Sequence, residues 1–109
     1  KGRVFTECPI STVDGVKVAD VAWVSSECLR ELGECVCFPR VPDTCVEVLS
    51  LGNSAAEIRE KTALYFDAGV SEVWHCSLTG LMTFLREGET SPVPASSICP
   101  EFPAQVQLR

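Results

Sequence analysis

The first part of the chain alternates apolar and polar residues, as a half-buried β-strand does. Residues 2–8 predict a short strand, and turn-forming residues at 12–15 separate it from a longer alternating run at 16–24. These two runs predict a β-hairpin. The following residues, 25–42, contain glycine and two prolines and show the apolar periodicity of neither a strand nor a helix. We therefore expect an irregular surface excursion there.

Three further apolar runs predict strands. Residues 43–50 form a nearly continuous apolar stretch, which is typical of a strand covered on both faces at the centre of a sheet. Residues 70–76 and 81–85 predict a second strand pair joined by a turn. Prolines recur from residue 90 onward, so we expect little regular structure in that part.

One helix has clear boundaries in the sequence. Ser54, followed by Glu57 three residues later, matches a capping box, which marks the start of a helix. The helix should run to about Ala68, because Gly69 then stands where a left-handed C-terminal cap favours glycine.

The order of these elements predicts the architecture. A β-β-α-β unit predicts an α/β domain with a mixed β-sheet and a crossover helix. A single helix leaves one face of the sheet without cover, and an uncovered apolar face is costly. We therefore expect that part of the fold is missing or that the chain forms a homodimer.

Length and composition limit the possibilities. The 109 residues are expected to form a single domain, 1–109. No apolar run approaches the roughly 20 residues of a membrane span, and the first residues lack the apolar core of a signal peptide, which favours a cytoplasmic protein with no membrane contact. The formal charge of −6 opposes phosphate backbones, so any DNA contact must be local or metal-assisted.

Seven cysteines are an odd number, which cannot all pair within one chain. Cys45 and Cys76 lie in apolar runs and are interpreted as small buried hydrophobic residues. A zinc module would need at least three of Cys28, Cys35, Cys37 and Cys45 to converge, although their spacing lacks paired C-x2-C units.

Two carboxylates interrupt apolar strand faces. Strict alternation places Asp20 on one face with Val18, Ala22 and Val24. Glu47 is the only charged residue within 44–50, the apolar part of its strand. Burial of an unpaired carboxylate costs several kcal/mol, so each needs a partner, a shifted pKa or a metal ion.

A lysine on the predicted helix is likewise a charged residue on an apolar face, and its charge is opposite to that of the two carboxylates. Lys61 falls beside Ile58 and Tyr65 on the apolar side of the helix, where it would face the sheet. Two carboxylates can hold a hard divalent cation through their oxygens, while a lysine positions water or balances charge in phosphodiester cleavage. The same residues can equally form a buried salt bridge without chemistry. The only histidine, His75, is interpreted as packed within its strand.

Several segments together resemble the Uma-two family, a domain of unknown function in the PD-(D/E)XK nuclease superfamily. The resemblance extends from about residue 14 to residue 85, and it rests on segments 18–25 and 42–50, on Glu60-Lys61 and Tyr65, and on 68–70 and 72–74. It implies a restriction-endonuclease-like fold. It also implies that Asp20 and Glu47 are metal ligands and that Lys61 replaces the usual strand lysine, whose position Leu49 occupies.

The resemblance further implies a function. It implies a Mg²⁺-dependent (or Mn²⁺-dependent) endonuclease with DNA as substrate, in which Asp20, Glu47 and Lys61 are catalytic. The alternative is a noncatalytic remnant or interaction module in which these residues form a buried ion-pair cluster. Family members usually begin with a helical region that precedes the part matched here, so the chain is expected to be N-terminally truncated relative to them.

Overall fold

The computed structural model describes residues 2–27 and 41–107 of the chain. In these residues, five strands and one long helix follow one another in the predicted order. Their bounds are β1 Gly2–Thr12, β2 Gly15–Ser25, β3 Thr44–Val48, α1 Ala55–Ala68, β4 Glu72–Cys76 and β5 Met82–Arg86. Most of the predicted excursion, residues 28–40, lies outside the described residues.

All five strands belong to one mixed sheet. Their spatial order is the same as their order in the chain, β1-β2-β3-β4-β5. Neighbouring strands are antiparallel except β3 and β4, which are parallel and are connected by α1. A parallel connection requires a crossover, and here the helix provides it. The predicted α/β class, with a central β3 and a crossover helix, is therefore confirmed.

The β1-β2 hairpin is longer than predicted and contains an irregularity. Its pairing runs from Gly2↔Ser25 to Thr12↔Gly15, but the pairs between Thr6↔Val21 and Cys8↔Ala19 are interrupted at Glu7 and Asp20. Glu7 has φ 49°, a left-handed conformation that disturbs the pleat.

This irregularity changes which residues of β2 are buried. Ala19 and Ala22 are both completely buried, whereas Val18 is 46% exposed and Asp20 is also exposed. The prediction that Asp20 shares an apolar face with Ala22 and Val24 is therefore wrong, because those two residues are buried and Asp20 is not. Strict alternation requires regular pairing, and the pairing is interrupted at Asp20.

Both predicted ends of α1 are confirmed. The Ser54 side chain accepts a hydrogen bond from the Glu57 amide at 3.1 Å, and the Glu57 carboxylate accepts one from the Ser54 amide at 2.9 Å. Gly69 adopts φ 111°, and its N–H donates to the carbonyl of Phe66. A left-handed conformation of this kind costs glycine little because glycine has no Cβ.

The sheet buries a different cluster on each face. On the helix side, residues of α1, the hairpin, β3 and β4 form one core: Cys8, Ile10, Ala19, Ala22, Cys45, Tyr65, Val70 and Val73. On the opposite side, Trp74, Cys76, Met82 and Phe84 form a second cluster with residues of the C-terminal segment. Alternate residues of β4 thus contribute to opposite faces, as the pleat requires.

The C-terminal segment covers part of the face that the sequence left without cover. The Phe102 ring lies 4.8 Å from the Trp74 ring, and Val93 forms a bridge with Phe84. The buried Glu72 carboxylate accepts hydrogen bonds from Trp74 Nε1 and from the side chains of Ser96 and Ser97. These contacts attach the segment to β4.

An apolar groove of about 500 Å³ remains on this face. Its walls come from all five strands and the C-terminal segment, and include Val21, Trp23, Val46 and Phe102. We expected this face of the sheet to lack any cover. Instead, the C-terminal segment, which has no regular structure, covers part of it and leaves the groove open. Within residues 2–27 and 41–107, no helix has both the length and the apolar character that a membrane span requires.

Candidate metal-binding and catalytic site

The candidate site lies where β2 and β3 separate. Backbone pairing between them covers Val21↔Val46 to Trp23↔Thr44, whereas pairing between β3 and β4 continues to Val48↔Cys76. The carboxyl end of β3 therefore has a partner strand on one side only. Such a separation leaves space for polar side chains between two strands.

Asp20 occupies this separation from the β2 side. Its Oδ2 accepts a hydrogen bond from the amide of Val48 at 2.8 Å. The carboxylate therefore takes the place of the carbonyl that a continued β-ladder would supply. Because Asp20 is exposed, its remaining lone pairs are accessible from solvent.

Glu47 approaches the same region from β3, one residue before the amide that Asp20 binds. It is only 5% exposed, and its carboxylate points to α1. Oε1 accepts a hydrogen bond from Lys61 Nζ at 2.9 Å, and Oε2 accepts one from the Tyr65 hydroxyl at 3.0 Å. Both oxygens therefore have donors, which offsets much of the cost of burying a carboxylate.

The two donors lie one turn apart on α1. Lys61 and Tyr65 are in positions i and i+4, so their side chains emerge on the same face of the helix. Lys61 Nζ also lies 5.9 Å from the centre of the Tyr65 ring. The Lys61 side chain is 30% exposed, so its ammonium contacts both the buried carboxylate and solvent.

Tyr65 is held in its neutral form. Burial, followed by the charge of Glu47 and the hydrogen bond to it, raises the pKa of the phenol far above its usual range. The smaller contributions to this shift include the charge of Asp20, which places both carboxylates in the electrostatic surroundings of one hydroxyl. Tyr65 therefore acts as a hydrogen-bond donor at any physiological pH.

His75 lies next to Glu47 in the parallel β3-β4 register. Its Nε2 is 3.0 Å from the hydroxyl of Thr62, which itself donates to the carbonyl of Ile58. The Thr62 hydroxyl has a single proton, which it donates to Ile58. It therefore accepts the hydrogen bond from His75, whose Nε2 is the protonated ring nitrogen. Burial lowers the pKa of His75, so the ring is neutral near pH 7. The interpretation of His75 as a packed residue agrees with these contacts.

Of the four cysteines proposed for a zinc module, the structure describes Cys45, and its surroundings are unsuited to metal binding. Cys45 is completely buried, and burial, together with the nearby Cys8 and Glu47, raises the pKa of its thiol to about 12. The thiolate is the form that binds zinc, and this environment disfavours it. The other three cysteines, Cys28, Cys35 and Cys37, lie outside the described residues.

The structure brings Asp20 and Glu47 to adjacent positions and joins Glu47 to Lys61. It does not bring Asp20 into the ion pair, because Asp20 binds a backbone amide instead. Sequence reasoning used Tyr65 as an apolar neighbour of Lys61 and as part of the family's pattern, but it missed the hydrogen bond from Tyr65 to Glu47. The spacing of four residues between Lys61 and Tyr65 was the available signal.

The donor set suits a hard cation. Asp20 and Glu47 supply carboxylate oxygens, the ligands that Mg²⁺ prefers, and Mg²⁺ commonly uses only one or two carboxylates and keeps several waters. Within the described ranges, no group of three or more His, Cys, Asp or Glu side chains converges as a cage would require. The residues therefore fit an open Mg²⁺ site better than a closed structural one.

The mixed five-stranded sheet with its crossover helix is a restriction-endonuclease-like fold. A crystal structure described as that of a putative nuclease belonging to DUF820, from Anabaena variabilis ATCC 29413, matches 97% of this chain with a TM-score of 0.75 and 19% sequence identity. The chain spans 65% of the length of that neighbour.

The sequence profile of the Uma2 family, described as a putative restriction endonuclease, matches residues 1–103. The chain belongs to the Uma2 family, as its motifs indicated. No curated protein matches the chain.

Proposed function

We propose that this chain carries a Mg²⁺-dependent endonuclease site that hydrolyses DNA phosphodiesters. The observation that carries the proposal is the arrangement at the separated strands. Asp20 binds the amide of Val48 there, and Glu47, the residue before Val48, has Lys61 against its carboxylate. The membership of a family described as putative restriction endonucleases supports the same chemistry.

Asp20 and Glu47 would hold the ion. When bound, Mg²⁺ would polarise the phosphate and lower the pKa of a coordinated water. Each carboxylate oxygen has two lone pairs, so the hydrogen bonds already formed by Glu47 leave one on each oxygen for a cation. Glu47 can therefore act as a ligand without losing Lys61 or Tyr65.

Lys61 would stabilise negative charge at the reacting phosphate or orient the attacking water. Its ammonium lies 2.9 Å from Glu47 and remains partly exposed, so it can reach a group bound beside that carboxylate. Local positive charge matters in this protein because the chain carries a formal charge of −6. A cation and Lys61 together would offset the repulsion that a phosphate otherwise meets.

A noncatalytic interaction module is the second candidate, and one observation favours it. The Lys61–Glu47 pair, completed by Tyr65, satisfies the buried carboxylate without any metal ion. In that case Asp20 would serve only to bind the Val48 amide. The two candidates differ in whether Asp20 and Glu47 bind a cation.

Cleavage of supercoiled plasmid tests the proposal. Nicking should require Mg²⁺ or Mn²⁺, and Asp20→Asn, Glu47→Gln and Lys61→Met should each reduce it at least about 100-fold. Asp67→Asn removes an exposed carboxylate from the same helix and should leave nicking unchanged. Nicking that persists in all three site variants, or its absence in the folded wild type, would favour the interaction module.

DNA as the substrate, a homodimer and a cytoplasmic location stay predictions. Sedimentation would establish the oligomeric state. The apolar groove described above is a surface that a homodimer would bury.

A further inference from the structure

Tyr65 is the only tyrosine of the chain, and it belongs to the helix-side core. Its ring is completely buried, and its hydroxyl donates to Glu47 Oε2 at 3.0 Å. A phenylalanine would fill nearly the same space, so packing alone does not explain the hydroxyl. Its position against one carboxylate oxygen requires a separate explanation.

We propose that Tyr65 is a positioning residue that fixes the carboxylate of Glu47 for cation binding. The hydrogen bond itself is independent of any metal ion. Its role in cation binding rests on the function proposed above.

Two donors hold the carboxylate of Glu47, one on each oxygen. A glutamate side chain rotates about three bonds, and its backbone position alone does not orient its oxygens. Lys61 holds Oε1 and Tyr65 holds Oε2, and both donors come from the same face of α1. The helix therefore sets the plane of the carboxylate and leaves a defined lone pair on each oxygen.

The surroundings of the Tyr65 hydroxyl fit this role. The side chain is completely buried, and the hydroxyl donates its hydrogen bond to Glu47. Outer partners of this kind usually change metal affinity by about 10- to 100-fold when they are removed.

Calorimetric titration of Mn²⁺ compares the wild type with Tyr65→Phe. We expect the affinity of Tyr65→Phe to be at least about 10-fold weaker, because only the hydroxyl is lost. Thr62→Val is the matched control: it also removes a hydroxyl from the inner face of α1, but this hydroxyl contacts His75 and Ile58 rather than Glu47. Its Mn²⁺ affinity should stay within about twofold of the wild type.

A second measurement requires no substitution in Tyr65. A carbon label at Cζ of the single tyrosine gives one resonance, which reports the hydrogen bond of its hydroxyl. Titration with diamagnetic Mg²⁺ should shift this resonance to a new position as Glu47 becomes a ligand. In the metal-free protein, Glu47→Gln should shift it as well, because the charged acceptor is lost. A purely structural tyrosine would also respond to Glu47→Gln, because its hydrogen bond needs no metal ion, but its resonance would not respond to Mg²⁺.

The outcomes separate the two proposals. A wild type that binds Mn²⁺, with Tyr65→Phe within about twofold of it, overturns the positioning role and leaves the cation site intact. A folded wild type that binds no Mn²⁺ overturns the cation site and with it the role of Tyr65. If Tyr65→Phe does not fold, a resonance that Mg²⁺ leaves unchanged while calorimetry detects binding overturns the positioning role.

Discussion

Glu47 and Lys61 are fourteen positions apart in the chain, and their charged groups lie 2.9 Å apart in the structure. The crossover creates this contact, because β3 presents Glu47 to the helix that returns over it. The carboxylate is almost fully buried, whereas the ammonium keeps contact with solvent. A catalytic site and a structural ion pair would share this contact, so experiments must examine stability and cation binding separately.

Loss of Lys61 should destabilise the fold. In Lys61→Met the apolar stem is largely kept, but Glu47 loses its charged donor in a buried position. We expect the free energy of unfolding to fall by about 1 to 3 kcal/mol, less than for a fully buried pair because Lys61 is partly exposed. Urea denaturation at neutral pH measures this change. Arg59→Met, an exposed substitution on the same helix, is the control, and equal stability of the two variants would contradict the account.

Glu72 should contribute stability that depends on pH. Burial opposes its ionisation, but hydrogen bonds from Ser96, Trp74 and Ser97 outweigh burial and lower its pKa. Its contribution should therefore be complete well above the unfolded value of about 4.3 and be lost as pH falls through the lower folded pKa.

The variant Glu72→Gln isolates this contribution. It should be about 1 to 3 kcal/mol less stable than the wild type at neutral pH, because several donors lose a charged acceptor. The difference should shrink as pH falls below about 4. Urea unfolding at a series of pH values measures it, and a difference that stays constant down to the acid limit would argue against the ionised carboxylate.

The single histidine gives a direct test of burial on the helix side. Burial lowers the pKa of His75, so its ring resonances should titrate below the reference value of about 6.5. Because the folded pKa is depressed, the stability that His75 contributes should be present above about pH 6.5 and be lost as pH falls through the folded pKa. Nuclear magnetic resonance titration measures this pKa, and a value above 6.5 would show that His75 has an acidic partner instead.

The capping box of α1 should have a measurable effect. Ser54→Ala removes the acceptor for the Glu57 amide and should lower the free energy of unfolding by about 1 kcal/mol. Ser91→Ala, in an exposed loop, is the control and should change stability by less than about 0.5 kcal/mol. If both variants unfold at the same urea concentration, the cap does not stabilise the helix in this protein.

The sequence predicted the elements that carry strong local signals. The capping box, Gly69 and the apolar run around Glu47 each depend on neighbouring residues alone, and the structure agrees with them. The environment of Asp20 could not be predicted, because the left-handed conformation of Glu7 on another strand interrupts the alternation. The bond between Tyr65 and Glu47 depends on how α1 lies over β3, which periodicity does not determine.

The C-terminal segment is a second case. Its prolines correctly indicated little regular structure, yet it covers part of the sheet through Phe102 and through the hydrogen bonds of Ser96 and Ser97. Tertiary contacts of this kind have no periodic signal in the sequence. The family's pattern, by contrast, pointed to Asp20, Glu47 and Lys61 before any contact was known.

Titration of Mn²⁺ into the wild type and Glu47→Gln tests the proposed cation site most directly. Calorimetry should detect binding to the wild type, and at least about 10-fold weaker binding to the variant, because a neutral amide is a poor ligand for a hard cation. Circular dichroism of both proteins checks that they are folded. Equal binding by the two proteins, or no binding by a folded wild type, would contradict the assignment of Glu47 as a metal ligand.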